Sequence, residues 1–238
     1  MNQISIVIPV HNESENIKRL IDEIAGVFTE GDFEVVVVDD CSTDNTLSIL
    51  LGQRKKYSWL RVIRNESNLG QSASVYIGVK YAKSSIICTL DGDGQNLPSD
   101  LPKMIEVLRT SDEPNLRMVA GWRKNRKDTF WRTFSSKVVN RFRSLILKDN
   151  TPDTGCGIKV FYRSTFMDLP FFNHMHRFLP VLVQMQGGKV ISIEVGHRKR
   201  ELGSSHYGTI DRLFAGIIDL FAVCWLRHRS KKLTSKEL

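Results

Sequence analysis

Asp91-Gly92-Asp93-Gly94-Gln95 directly follows an apolar run, Ser85–Leu90, and is the densest piece of chemistry in the sequence. Two carboxylates and an amide at alternate positions of a turn can share one hard divalent cation. Mg2+ and Mn2+ take oxygen ligands and keep positions open for phosphates. An EF-hand calcium loop is excluded: counting from Asp91, its required Gly and Glu positions hold Asn96 and Pro102. Taken alone, such a pair also occurs as a plain polar turn, so its surroundings decide. Ile8-Pro9-Val10-His11-Asn12-Glu13 and Val38-Asp39-Asp40-Cys41-Ser42-Thr43-Asp44 close two further apolar runs. Neither carries G-x-G-x-x-G, which disfavours a dinucleotide clamp. Carboxylates there repel phosphate and instead accept hydrogen bonds from base or ribose donors. Asp39, Ser42 and Asp44 equally suit caps of the helix that follows.

These loops share one rim only if the runs before them are parallel strands. Ile4–Val10, Phe33–Val38, Leu60–Ile63 and Ser85–Leu90 are rich in Val and Ile. Helical patterns follow each, from about Glu13 to Phe28, from Thr43, from Gln71 to Ala82 and from Ser99 to Arg109. Strand–helix alternation of this kind predicts an α/β fold, a mostly parallel sheet with helices on both faces. Ligands of such sheets bind beyond the carboxyl ends of the strands. After Val119 the pattern loosens: a basic stretch entering a helix near Asp128, a Gly-rich loop Asp153–Gly157, then a strand. A helix from His174 to Met185, a strand Val190–Val195, a basic loop and a last helix from Thr209 to Arg227 complete the reading.

Charge is divided along the chain. Residues 1–116 hold 11 basic and 17 acidic side chains, residues 117–148 hold 10 and 1, and residues 196–238 hold 9 and 4. An acidic front half joined to a basic back half points to an anionic partner for the latter. At 238 residues, 41% hydrophobic and 25% charged, disordered and fibrous classes are excluded. Four cysteines without C-x-x-C spacing fit a reduced cytosolic setting. No signal peptide is read at the N-terminus, and Leu213–Leu226 is too short and carries Asp219, so no membrane span is expected.

IPVHNE, VVVVDDCSTD, NLGQSASVYIG and LDGDGQ, in this order, resemble the family 2 nucleotide-sugar glycosyltransferases of the GT-A fold. Within them the chain is most similar to the dolichol-phosphate mannosyltransferase type, which transfers sugar to a polyprenyl phosphate. The resemblance implies that Pro9, His11, Glu13, Val38 and Asp40 hold the nucleoside of a GDP- or UDP-linked donor. It also implies that Asp91, Asp93 and Gln95 surround Mg2+ or Mn2+ on the donor pyrophosphate. Arg123, Arg132 and Ser136 match phosphate-contacting positions, and Arg200, Ser205 and His206 match an acceptor loop, R-x-x-G-x-S-K. Two departures stand out: His11 where the family usually has Tyr, and His206 where it has Lys. Relatives acting on saccharides carry a general base in a Glu-Asp pair opening a helix past the middle. Here that helix begins His174-Met175-His176-Arg177. A phosphate nucleophile needs no base, since it is already ionised at pH 7.

The expectation is therefore inverting, metal-dependent sugar transfer to a polyprenyl phosphate, with Asp91, Asp93, Arg123, Arg132 and Arg200 doing the chemistry and Asp153 structural or acceptor-positioning. The rival readings are a saccharide-directed family 2 enzyme and a non-catalytic nucleic-acid or nucleotide-sugar binder. No nucleic-acid motif is present, so nucleic acid is not expected as a partner. Residues 1–208 are read as the GT-A domain and 209–238 as an apolar helix with a basic tail. That helix either lies on anionic lipid, peripheral on the cytoplasmic face of a membrane, or packs on the core or in a homo-oligomer interface.

Overall fold

The computed structural model describes residues 4–29, 33–124, 147, 151–198 and 209–230, with only the backbone described for 209–215. Its centre is a 7-stranded sheet of order β3-β2-β1-β4-β6-β5-β7. The strands are β1 (Ile4–Val10), β2 (Phe33–Asp39), β3 (Leu60–Arg64), β4 (Ile86–Thr89), β5 (Leu116–Trp122), β6 (Lys159–Tyr162) and β7 (Lys189–Glu194). The first four are mutually parallel, as the alternation with helices requires. β6 runs antiparallel between β4 and β5, and β7 returns parallel to β5.

Alternation along each strand sorts the apolar side chains onto two faces. Ile4, Ile6, Ile8, Val35 and Val37 enter one cluster, together with Ile17, Leu20, Ile21 and Ile24 of α1 (Ile17–Val27). Leu50 of α2 (Thr46–Lys56) and Met104 of α4 (Leu101–Thr110) complete that layer. Val7, Val36 and Val38 face the other way, onto Val75 and Val79 of α3 (Gln71–Tyr81). Small residues let α3 lie close: a side chain on Gly78 would collide with Val7. Phe166 of α5 (Arg163–Met167) and Leu182 of α6 (Leu179–Met185) share this second cluster. So does Val223 of α7 (Thr209–Arg229).

Several element boundaries differ from the sequence reading; α1, expected from about Glu13, begins at Ile17. The expected helix His174–Met185 is a 3-10 turn, Met175–Arg177, followed by the separate α6. Pro180 lacks the N–H a continuous helix needs and sits instead in the first turn of α6. α2 begins at Thr46 rather than Thr43. The Asn12 side-chain oxygen holds the amides of Thr43 and Asp44 at 2.8 and 3.3 Å, and Asp44 Oδ1 then accepts from Thr46 N at 2.9 Å. The helix expected near Asp128 and the boundary drawn at 208 lie outside the described residues.

Candidate active site on the carboxyl rim

The parallel register brings the ends of β1, β2 and β3 together, with Pro9 opposite Val38 and Asp39 opposite Arg64. Beyond them the loops lock into one another through side chains. The backbones of Asn12 and Cys41 are both left-handed, at φ of 55° and 57°, a conformation that costs non-glycine residues energy and persists only where neighbours enforce it. Here Asn12 is held from both ends: its N–H donates to Ser42 Oγ at 3.0 Å, and its side-chain oxygen receives Thr43 and Asp44. Glu13 N donates to Thr46 Oγ1 at 2.9 Å, and Glu13 Oε2 accepts from Asn16.

Asp40 is buried and anchors a third loop. Its Oδ1 accepts from Asn65 Nδ2 at 2.7 Å and Leu69 N at 2.9 Å, and its Oδ2 from Gly70 N at 2.8 Å. A carboxylate offers about four lone-pair sites, so most of Asp40's capacity already serves the Asn65–Gly70 loop. His11 Nδ1 lies 2.8 Å from the Asp40 carbonyl, which can only accept; Nδ1 therefore carries the proton. Nε2 then accepts from the Asn68 and Asn12 amides at 3.2 and 3.3 Å. The imidazole that replaces the expected Tyr is thus fixed in orientation between β1, β2 and the Asn65–Gly70 loop. Asn65 and Asn68 were not singled out from the sequence. Asn68 opens the NLGQSASVYIG motif quoted above, though no role was drawn for it, and Asn65 lies three residues before that motif.

The Asp91–Gln95 loop meets the residue that follows the Asn65–Gly70 loop. Asp91 Oδ1 accepts from Gln71 Nε2, at the start of α3, at 2.8 Å. Its N–H donates to the buried Asn96 side chain at 3.3 Å. Burial first, and the neighbouring Asp93 charge second, push the Asp91 carboxyl up to about 6, against the opposing pull of Lys159, Arg123 and the Gln71 amide. Two close carboxylates that repel each other form a set that a hard cation relieves, and Gln95 adds an amide two residues on. The donor set fits Mg2+ or Mn2+. Among the described residues no group of three or more His, Cys, Asp or Glu gathers.

A raised carboxyl pKa has a definite sign. The native state holds the Asp91 proton more tightly than the unfolded chain, so this group's contribution to stability is full below about pH 4 and is lost as pH rises through about 6. In chelator at pH 8, Asp91→Asn is expected to be more stable than wild type by on the order of 1–2 kcal/mol, allowing for solvent screening of a half-buried group. The gap should close toward pH 4. Urea midpoints that coincide at pH 8 would contradict this.

The loop before β6 walls the far side of Asp91. Thr89 Oγ1 donates to Gly157 O at 2.7 Å, and a β-carbon on Gly157 would overlap the Asp91 carboxylate. Lys159 is buried in the same place, its Nζ on the Cys156 carbonyl; burial lowers its pKa, while Cys156, Asp91 and Asp153 oppose the shift. Arg123, expected on a phosphate, makes a two-bond pair with Asp153: Nε to Oδ2 at 2.7 Å and Nη2 to Oδ1 at 2.9 Å. Only 8% and 7% of the two side chains is exposed. Burial alone would lower the Arg123 pKa, but the hydrogen bonds and charge of Asp153 leave it raised. Two of its five N–H groups are thus committed to Asp153. Arg132, Ser136, Arg200, Ser205 and His206 lie outside the described residues, as do the cations Lys127, Lys137, Arg143, Lys231, Lys232 and Lys236. Lys124 is exposed, 3.6 Å from Glu194.

His176 in the 3-10 turn and His174 just before it both have partners. Ser72 Oγ bonds His176 Nδ1 at 2.7 Å, and burial, then the charges of Arg177 and Lys159, press His176 well below the usual histidine range. His174 Nδ1 meets Asp219 of α7 at 2.8 Å. The inner face of α7 packs on the core, while Ile217, Ile218, Phe221 and Trp225 stand 44%, 67%, 70% and 63% exposed. No described helix is long and apolar enough to cross a membrane.

Among solved structures, the fold is similar to a glucosyl-3-phosphoglycerate synthase from Mycobacterium tuberculosis in complex with Mn2+, UDP and phosphoglyceric acid. The TM-score is 0.70 at 19% identity, over 97% of this chain and 80% of that one. A mannosyltransferase from Pyrobaculum calidifontis in complex with GDP-Man and Mn2+ gives a TM-score of 0.73 at 18% identity, over 97% and 66%. In sequence, the chain is 33% identical over 240 residues to the dodecaprenyl-phosphate galacturonate synthase of Rhizobium johnstonii, covering 96% of this chain and 69% of that protein. It is 29% identical over 211 residues to the undecaprenyl-phosphate 4-deoxy-4-formamido-L-arabinose transferase of Proteus mirabilis, covering 87% and 63%. The family model for glycosyl transferase family 2 matches residues 5–169. That span runs from β1 through β6 and α5 and contains every described donor-side residue discussed above, and the chain belongs to glycosyl transferase family 2.

Proposed function

We propose that this protein transfers a glycosyl group, with inversion, from a nucleotide-sugar to a polyprenyl phosphate. A phosphate oxygen of the acceptor attacks the anomeric carbon; the bond from that carbon to the donor diphosphate breaks, and the nucleoside diphosphate leaves. A divalent cation held by Asp91, Asp93 and Gln95 would supply neutralisation of the departing charge. Pro9, His11, Glu13, Val38 and Asp40 line the nucleoside end. Arg132, Ser136, Arg200, Ser205 and His206 serve the acceptor phosphate, and Arg123 acts with Asp153 as a buried support beside the loop.

One observation carries the choice of acceptor. No Asp or Glu occurs between Asp168 and Glu194, the stretch that contains the turn and helix where a saccharide-directed enzyme needs its base. His174 is engaged by Asp219, and His176 Nδ1 by Ser72. An ionised phosphate requires no proton removal. The two named relatives, whose acceptors are prenyl phosphates, support the same reading. Incubating the protein with UDP- and GDP-sugars, a short polyprenyl phosphate and Mn2+ tests it: lipid-linked sugar should form, and chelator should stop it.

A lipid acceptor places the reaction at a membrane surface, and the outer stripe of α7 suits that setting. Its apolar side chains end in Arg227, His228 and Arg229, an arrangement that lies in the headgroup region of anionic bilayers. Phe221→Ser with Trp225→Ser is expected to leave folding intact and to move the protein from the floating to the soluble fraction in flotation with anionic liposomes. Unchanged flotation would remove α7 from the contact.

A further inference from the structure

The metal-binding loop is strapped by a segment far away in sequence. Just after β7, Asn96 and His197 form an antiparallel bridge. Arg198 N donates to Gln95 O at 3.0 Å, Gln95 Nε2 donates back to Arg198 O at 3.2 Å, and Gly196 N donates to Asp100 Oδ2 at 2.8 Å. Gln95 N in turn donates to Asp93 Oδ1 at 3.1 Å. The loop that would carry cation ligands therefore shares a short ladder with residues 196–198. Two residues further on begins Arg200, the start of the acceptor-loop motif.

The ladder is also anchored to α1. The Arg198 guanidinium reaches α1 and grips Glu23 with both prongs, Nη1 to Oε1 at 2.8 Å and Nη2 to Oε2 at 2.5 Å. Arg19 adds a third bond to the same carboxylate at 3.0 Å. The Arg198 hydrogen bond is the main reason the Glu23 carboxyl lies below its ordinary range, with burial opposing it. Glu23, Arg198, Arg19, Asp93 and Gly94 line one cleft. A paired fork of this kind fixes orientation as well as distance, which a single point contact does not.

We propose that Glu23 and Arg198 are positioning residues for the cation site. By clamping residues 196–198 to α1, they hold the Gln95 amide by its Nε2, leaving Oε1 as the ligand atom, and they set the root of the acceptor loop against the metal loop. This rests on the metal-dependent reading above, so the test reads cation binding directly rather than product alone.

The experiment is Mn2+ titration of the full chain with UDP or GDP present, followed by electron paramagnetic resonance of free Mn2+, for wild type, Glu23→Arg, Arg198→Glu and the double exchange. Each single variant is expected to weaken Mn2+ binding about tenfold or more, as losses of outer-sphere support do. The exchange should restore binding to within about threefold, since the pair is re-formed with its ends swapped. Melting temperatures are recorded for each variant, so that weaker Mn2+ binding is compared only among folded proteins; the pair is about three-quarters buried at each end and its loss is expected to lower them. If a reversal variant does not fold, Glu23→Gln and Arg198→Lys replace it; both lose the two-pronged grip and should weaken Mn2+ binding in the same direction. Single variants that bind Mn2+ as wild type does would overturn the clamp, as would an exchange that folds without restoring binding. Wild type that binds no Mn2+ would instead overturn the metal reading beneath it.

Discussion

Gly157→Ala should fold, melt close to wild type and lose at least about 100-fold in sugar transfer, the scale expected when a reacting group is displaced by an ångström. The reason is local. A methyl group at residue 157 needs the space now filled by the Asp91 carboxylate. The β-carbon cannot move, because Thr89 holds the Gly157 carbonyl and β6 is paired to β4 on one side and β5 on the other. The carboxylate can move, since it is the free end of a short side chain. It would swing away from Gln71 and from Asp93, leaving the cation a poorer set of ligands. Mn2+ affinity should fall together with activity. An alanine variant with full Mn2+ affinity and full transfer would show that Asp91 does not need the place it occupies.

Asp153→Ala should lower stability by about 3–5 kcal/mol, because it strands the Arg123 guanidinium as an unpaired buried charge. At roughly 2–4 °C per kcal/mol for a chain of this size, the melting temperature should drop by on the order of 10 °C. Loss of the backbone contact from Arg123 N to Asp153 Oδ2, 3.3 Å long, adds to this. The companion variant separates charge from packing: Asp153→Leu with Arg123→Met removes both ends, and stability should largely return. Activity should not return, because the Arg123 charge beside Asp91 is gone from the loop's wall. A single Asp153→Ala variant as stable as wild type in urea unfolding would mean that the pair contributes nothing to the fold.

How much of this was legible in the sequence depended on the range of each interaction. The alternation in Ile4–Val10 and Phe33–Asp39 and the helical spacing of Ile17, Leu20, Ile21 and Ile24 are local signals, and the core follows them face by face. Parallel pairing of the first four strands follows from the helices between them, and so the placing of Pro9–Glu13, Asp39–Thr43 and Asp91–Gln95 on one rim was readable. The direction of β6 was not, because nothing between residues 122 and 159 sets it locally. Pairings such as Arg123 with Asp153, 30 residues apart, and Arg198 with Glu23, 175 apart, leave no periodic trace. Arg123 looked like a free phosphate ligand because its partner belongs to another loop. Asn65 and Gln71 become site residues only once Asp40 and Asp91 are seen to use them.

The choice of acceptor is the central claim, and one assay addresses it directly. With a nucleotide-sugar that the protein uses and Mn2+ present, a short polyprenyl phosphate, the same polyprenol without phosphate, and a saccharide are offered in parallel. Sugar should appear on the polyprenyl phosphate alone, with one nucleoside diphosphate released per product. Transfer to the saccharide hydroxyl, with none to the phosphate, would contradict it.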